Sequence, residues 1–125
     1  MSDAKMITIL VVDDSRVSRM LSRQYILSIH PEWTVEEATT GEEAIQKLDT
    51  ITPDLILLDV NMPGMGGFAA VAKLREKCPG IPISLLTANV QDATRNKANE
   101  LGVDFAEKPI TEARIQQIIA VLENA

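Results

Sequence analysis

The sequence predicts an α/β fold, a doubly wound sheet of five parallel strands with helices covering both faces. Three observations carry that expectation. Short apolar runs rich in β-branched residues alternate five times with segments whose apolar residues recur at helical spacing. The links between them are short, and right-handed crossovers are the common way to join parallel strands. The conspicuous polar residues fall just after predicted strands, where ligands bind in sheets of this kind.

Ile7, Thr8, Ile9, Leu10, Val11 and Val12 form the first run, stopped by Asp13, Asp14 and Ser15, and read as a strand buried on both faces. Val17, Met20, Leu21 and Tyr25 then fall at i, i+3, i+4 and i+8, the apolar stripe of a helix that His30 and Pro31 close. A second strand runs from Thr34 to Ala38. Thr40, Gly41, Glu42 and Glu43 open the next helix with a capping box, and its inner face is Ala44, Ile45 and Leu48. Asp54 to Leu58 is the third strand. After the turn Asn61, Met62, Pro63, Gly64, the residues Gly67, Ala70, Val71 and Leu74 mark a third helix, ended by Pro79 and Gly80. Ile81 to Leu86 makes the fourth strand, Gln91 to Leu101 a helix closed by Gly102, and Val103 to Ala106 a short fifth strand. The last helix runs from Thr111 to about Asn124 with the stripe Ile115, Ile118, Ile119 and Leu122. The helix from Gln91 has only Ala93, Ala98 and Leu101 as apolar anchors, so it is expected to be the least firmly docked and the cheapest to move.

A chain of 125 residues is the size of one domain, and residues 1–125 are expected to form a single unit. Hydrophobic residues make up 46% and charged residues 24%, the balance of a soluble globular protein, and no apolar run approaches the roughly 20 residues of a membrane span. The polar start, Met1 to Lys5, and the aspartates after the first apolar run do not fit a secretory signal, so a cytoplasmic location without membrane insertion is expected. Cys78 stands alone, which excludes an internal disulfide and a cysteine-based metal site; it reads as a small apolar filler. A net charge of −6 repels polyanions, and no cluster of basic residues interleaved with aromatics offsets it, so nucleic acid is not an expected partner.

Asp13 and Asp14 follow the first strand, Asp59 the third, Thr87 the fourth and Lys108 the fifth, so the fold gathers them at one sheet edge. Taken singly, Asp14 or Ser15 caps a helix and Asp59 with Asn61 holds a turn. Taken together they exceed what capping needs. Two like charges about 4 Å apart repel by roughly 4 kcal/mol at an effective dielectric of about 20. A divalent cation among the carboxylates removes that cost, and all-oxygen ligands favour Mg²⁺ or Mn²⁺ over zinc. Such an ion beside a carboxylate, a lysine and a hydroxyl is the equipment of phosphoryl transfer, with Asp59 as nucleophile and Lys108 and Thr87 on the phosphoryl oxygens. Ala88 leaves room for the group to enter.

The stretches Val11 to Ser15, Leu57 to Gly67, Leu86 to Ala88 and Phe105 to Pro109 resemble the motifs of response-regulator receiver domains, in order and at that family's spacing. The resemblance covers nearly the whole chain. It implies the CheY-like (βα)5 fold with strand order 2-1-3-4-5; with no linker-like stretch and a last helix that runs to within a few residues of Ala125, a stand-alone receiver with no output domain is expected. The resemblance further implies that Asp14 binds Mg²⁺ directly, Asp13 through water and Asn61 through its main-chain carbonyl, and that the Lys108–Pro109 peptide is cis. Thr87 and Phe105 are then a coupled switch, and Asn61 and Asn89 tune phosphoryl lifetime. Phe105 lacks the hydroxyl of the Tyr that many relatives carry there. The implied partners are a histidine kinase or histidine phosphotransfer protein as donor, and a downstream protein bound through residues 91–106 and 111–124. The chain assists its own phosphorylation and dephosphorylation and is not expected to be an enzyme acting on another substrate.

Three other functions compete. A haloacid-dehalogenase-like phosphotransferase or phosphatase needs an acid two residues after the nucleophile, where this chain has Asn61. A flavin-binding domain needs phosphate-cradling small residues where Asp13 and Asp14 stand. A phosphorylation-independent scaffold leaves the complete acidic and basic set unexplained. His30 and Trp33 lie at the opposite end of the sheet and read as surface and packing residues, which makes Trp33 a poor fluorescence reporter of metal binding.

Overall fold

The computed structural model describes residues 7–62, 64, 66–88 and 91–123. Asn89, Pro63, Met65 and Asn124 therefore lie outside the described residues. The elements follow in strict alternation: β1 (Thr8–Val12), α1 (Arg16–Ile29), β2 (Thr34–Ala38), α2 (Gly41–Lys47), β3 (Leu55–Asp59), α3 (Gly66–Lys77), β4 (Ile83–Thr87), α4 (Asp92–Leu101), β5 (Asp104–Glu107) and α5 (Glu112–Glu123). All strand pairs are parallel, and the sheet order is β2-β1-β3-β4-β5. No helix among the described residues is long and apolar enough to cross a membrane.

Alternation of side chains along the strands divides the core in two. Leu10, Val12, Ile56, Leu58 and Leu85 meet Ala44 of α2, Ala70, Val71 and Leu74 of α3, and Ala98 of α4. On the other face Ile9, Val11, Leu55, Leu57 and Leu86 meet Ile26 of α1 and Ile115 and Ile119 of α5. Every residue of β3 is buried, as a central strand covered on both sides requires. At about 1.5–3 kcal/mol for each buried Leu or Ile side chain, this strand is the anchor from which Asp59 projects.

The inward face of α1 differs from the sequence expectation. Val17 and Met20 are 66% and 56% exposed, while Ser22 and Ile26 are buried and Leu21 and Tyr25 half-buried. A small polar residue, Ser22, occupies the centre of the packed face. The apolar periodicity therefore pointed to the wrong side of the first turns. Ser15 caps this helix, its hydroxyl accepting from Ser18 N at 3.3 Å.

At α4 Ala98 is buried and Leu101 half-buried, but Ala93 is exposed, so the helix is held by still fewer anchors than expected. Its carboxyl end is tied instead. Gly102 takes the left-handed conformation at φ 67°, and Arg75 of α3 donates to the carbonyls of Leu101 and Gly102. The capping box of α2 closes slightly displaced: Thr40 Oγ1 accepts from Glu43 N at 3.0 Å, while Glu43 Oε1 accepts from Thr39 N at 2.6 Å.

Candidate functional site

Asp13 leaves β1 fully buried, and each of its polar groups is engaged. Its N–H donates to Ala38 O at 3.0 Å, and its Oδ1 accepts from Ser15 N at 2.9 Å. Its Oδ2 meets the Lys108 ammonium at 2.7 Å, and its carbonyl accepts from Arg19 Nη1 at 2.7 Å. Asp14 is exposed beside it. Asp59, the last residue of β3, is 3% exposed, and its Oδ1 accepts from Asn61 N at 3.2 Å and lies 3.5 Å from Lys108 Nζ.

One carboxylate oxygen from each of Asp13, Asp14 and Asp59 lies within 4.8 Å of the others. Burial, and after it the charge of Asp13, pushes the Asp59 pKa from 3.8 up to about 6; Lys108 and the Asn61 N–H hold it down. The cluster therefore carries more negative charge than one lysine neutralises. Hard oxygen donors at this spacing suit Mg²⁺ or Mn²⁺.

Thr87 ends β4 and is buried, and its carbonyl accepts the Lys108 N–H at 2.8 Å. Lys108 follows β5 and joins Pro109 through a cis peptide, with its side chain 17% exposed and its amine among the carboxylates. Asn61 is exposed two residues past Asp59, and Ala88 is exposed past Thr87. Phe105 lies lower on β5, half-buried, with the Arg95 guanidinium 6.0 Å from its ring centroid and Arg114 Nη2 on its carbonyl at 2.9 Å. The structure thus brings Asp13, Asp14, Asp59 and Lys108 together and sets Thr87 on the adjoining strand end. Asn89 lies outside the described residues.

His30 and Trp33 sit at the opposite end of the sheet. Their rings stack at 3.9 Å with 7° between the planes, and His30 contacts Glu32 at 3.4 Å and Glu123 of α5. Sequence reasoning passed over two contributors to the acidic site. Arg19 bridges Asp13 to Glu37 of β2, a partnership between distant positions with no sequence signal beyond a basic residue in the second turn of a helix. Gly67, read only as an inner helix position, is also a steric necessity: a Cβ there would lie 2.5 Å from Asp59 O and 2.8 Å from Val60 Cα.

The chain matches the family of the response regulator receiver domain over residues 9–120. It is 38% identical over 106 residues to the sensor protein EvgS of Escherichia coli K12, covering 84% of this chain and 9% of that protein. It is 38% identical over 119 residues to the transcriptional regulatory protein ResD of Bacillus subtilis, covering 94% of this chain and 48% of that protein. The chain thus spans about half or less of the length of these curated relatives. Among solved structures it is similar to the chemotaxis protein CheY4 of Vibrio cholerae, with a TM-score of 0.82 at 28% identity over 96% of this chain and 98% of that one.

Proposed function

The chain belongs to the response regulator receiver domain family of two-component signalling, and from that premise we propose that Asp59 is its phosphoacceptor. The observation that carries this reading is the convergence of three carboxylates and one ammonium at the carboxyl end of β3. A carboxylate near charges of its own sign is a poor structural element, and its placement makes sense as a nucleophile.

An ionised Asp59 oxygen attacks phosphorus in line as the bond from phosphorus to the donor nitrogen of a phosphohistidine breaks. The electron pair returns to the imidazole, and an acyl phosphate remains on Asp59. Asp14 and Asp59 directly, and Asp13 through water, would hold Mg²⁺, with Mn²⁺ a substitute, and the main-chain carbonyl of Asn61 would complete the protein ligands. The ion would supply charge neutralisation at the phosphoryl oxygens. Lys108 meets a further oxygen by moving its ammonium away from Asp13, and the Thr87 hydroxyl meets another. Asn61 orients the water that later hydrolyses the acyl phosphate, and Asn89 tunes the same lifetime.

Phosphorylation adds about −1.5 to −2 charges where the site is already anionic. The response is read on residues 91–106 and 111–124, by a downstream protein. Two features support that surface: α4 has few apolar anchors, and the Phe105 ring lies under Arg95 of that helix. The donor is a histidine kinase or phosphotransfer protein, and the location is the cytoplasm.

Intact mass after incubation with a small phosphodonor and Mg²⁺, with Asp59→Ala alongside, tests the assignment. The expected result is one phosphoryl group on the wild type only. No Mg²⁺-dependent gain, or an equal gain in the variant, rejects it.

A further inference from the structure

Asp14 carries the only carboxylate of the cluster that is solvent-exposed, so packing does not fix its aim. What is fixed is the peptide that precedes it. The carbonyl of Asp13 belongs to the Asp13–Asp14 peptide plane, and Arg19 Nη1 donates to it at 2.7 Å. The same guanidinium donates through Nε to Glu37 Oε1 at 3.0 Å, and the Arg19 side chain is 14% exposed. Glu37 lies on β2 opposite Val11, and its other oxygen accepts from Arg23 Nη1 at 3.0 Å. The loop that bears Asp13 and Asp14 is thereby tied, through one rigid fork, to the neighbouring strand.

We propose that Arg19 is a positioning residue that fixes the Asp13–Asp14 peptide and so aims the Asp14 carboxylate into the cation cluster. The inference rests on the reading of Asp13, Asp14 and Asp59 as a Mg²⁺ site. Arg19 acts at one remove: its contact is to the peptide oxygen, and the carboxylates make the site.

Charge and positioning predict opposite signs. A guanidinium near a cation site repels the cation, so if Arg19 were only a charge its removal would tighten binding. If it sets the loop, removal weakens binding although a repulsive charge has gone. Lysine separates the two further, because it keeps the charge and cannot bridge the carbonyl and Glu37 as a planar fork does.

The test is Mn²⁺ binding, read from the electron paramagnetic resonance signal of the free ion, with wild type, Arg19→Lys, Arg19→Gln and Arg23→Gln. Circular dichroism melts of each accompany it. Outer groups that orient metal ligands typically change affinity by about tenfold or more, so both Arg19 variants are expected to bind about tenfold more weakly. Arg23→Gln, which removes a more exposed partner of the same Glu37, is expected to stay within about twofold of wild type. Should Arg19→Lys not fold, Glu37→Asp takes its place, because it keeps every charge and withdraws the anchor by one methylene; the same loss is expected. An Arg19→Lys or Glu37→Asp affinity equal to wild type, or a tighter Arg19→Gln, overturns the proposal alone. A wild type that takes up no Mn²⁺ overturns it together with the metal reading.

Discussion

Lys108 Nζ lies 2.7 Å from Asp13 Oδ2 and 3.5 Å from Asp59 Oδ1, so the ammonium sits nearer the loop carboxylate than the expected acceptor. The lysine therefore serves two carboxylates at once. Replacing it with Met leaves both without their counter-charge, and Asp59 loses one of the influences that hold its pKa down. The metal-free protein is expected to lose about 1–3 kcal/mol of stability, measured by urea unfolding in chelator, because proton uptake by Asp59 limits the damage. Mn²⁺ affinity should rise, since a competing cation has left. Weaker Mn²⁺ binding by Lys108→Met would show that the lysine organises the site more than it competes for it.

The pH dependence of stability follows from Asp59. Its folded pKa, about 6, is raised above the ordinary 3.8, so the folded state holds the proton more tightly than the unfolded chain. Below about 3.8 both states are protonated and this group contributes nothing. Between the two values stability falls as pH rises, and above about 6 the whole penalty stands, on the order of 3 kcal/mol. Asp59→Asn should accordingly stabilise the metal-free protein at about pH 7.5 by up to that amount and change little near about pH 4. Unfolding free energies at both values check the sign. Saturating Mg²⁺ should shrink the difference at the higher pH, because the cation favours the ionised carboxylate.

Most of the fold was legible because the central strands β1, β3 and β4 are short apolar runs and the expected stripes of α2, α3 and α5 face the sheet. In α3 the expected Gly67, Ala70, Val71 and Leu74 are all buried. In α1 the periodicity failed, since Ser22 carries no hydrophobic signal yet sits in the core, while Val17 and Met20 present a false one. The gathering of Asp13, Asp14, Asp59 and Lys108 was legible from strand polarity alone. What joins them to the scaffold was not. Arg19 and Glu37 are eighteen residues apart on different elements, and nothing local marks a side chain that will reach a backbone carbonyl. The pairing of His30 with Glu123 of α5 escaped for the same reason, because the two are far apart in the chain.

Trp33 should report its contact with His30 and ignore the acidic site. It is 8% exposed, and its ring is in face contact with the imidazole at the end of the sheet away from Asp59. Emission is expected to change in His30→Gln, which removes the stacked ring, and to be indifferent to Mg²⁺ at fixed pH. A Mg²⁺-dependent change of comparable size would mean that the two ends of the sheet are coupled.

Gly67→Ala sets helix propensity against space. Alanine in a helix is favoured over glycine by roughly 0.5–1 kcal/mol, which taken alone predicts a gain for α3. The added methyl, however, meets Asp59 O at 2.5 Å and Val60 Cα at 2.8 Å, and both are backbone atoms of the segment that ends the central strand. Neither can turn aside as a flexible side chain would. Overpacking of this kind costs about 1–3 kcal/mol, so sterics win and the variant is expected to be less stable, by a net of about 1–2 kcal/mol. Because α3 must back away from the residue expected to accept the phosphoryl group, uptake from a small phosphodonor should also slow more than the loss of folded protein explains. Urea unfolding gives the first quantity and mass spectrometry against time the second. A stability equal to or above wild type would mean that the loop after Asp59 yields easily, and that the close approach of Gly67 does not hold the carboxylate in place.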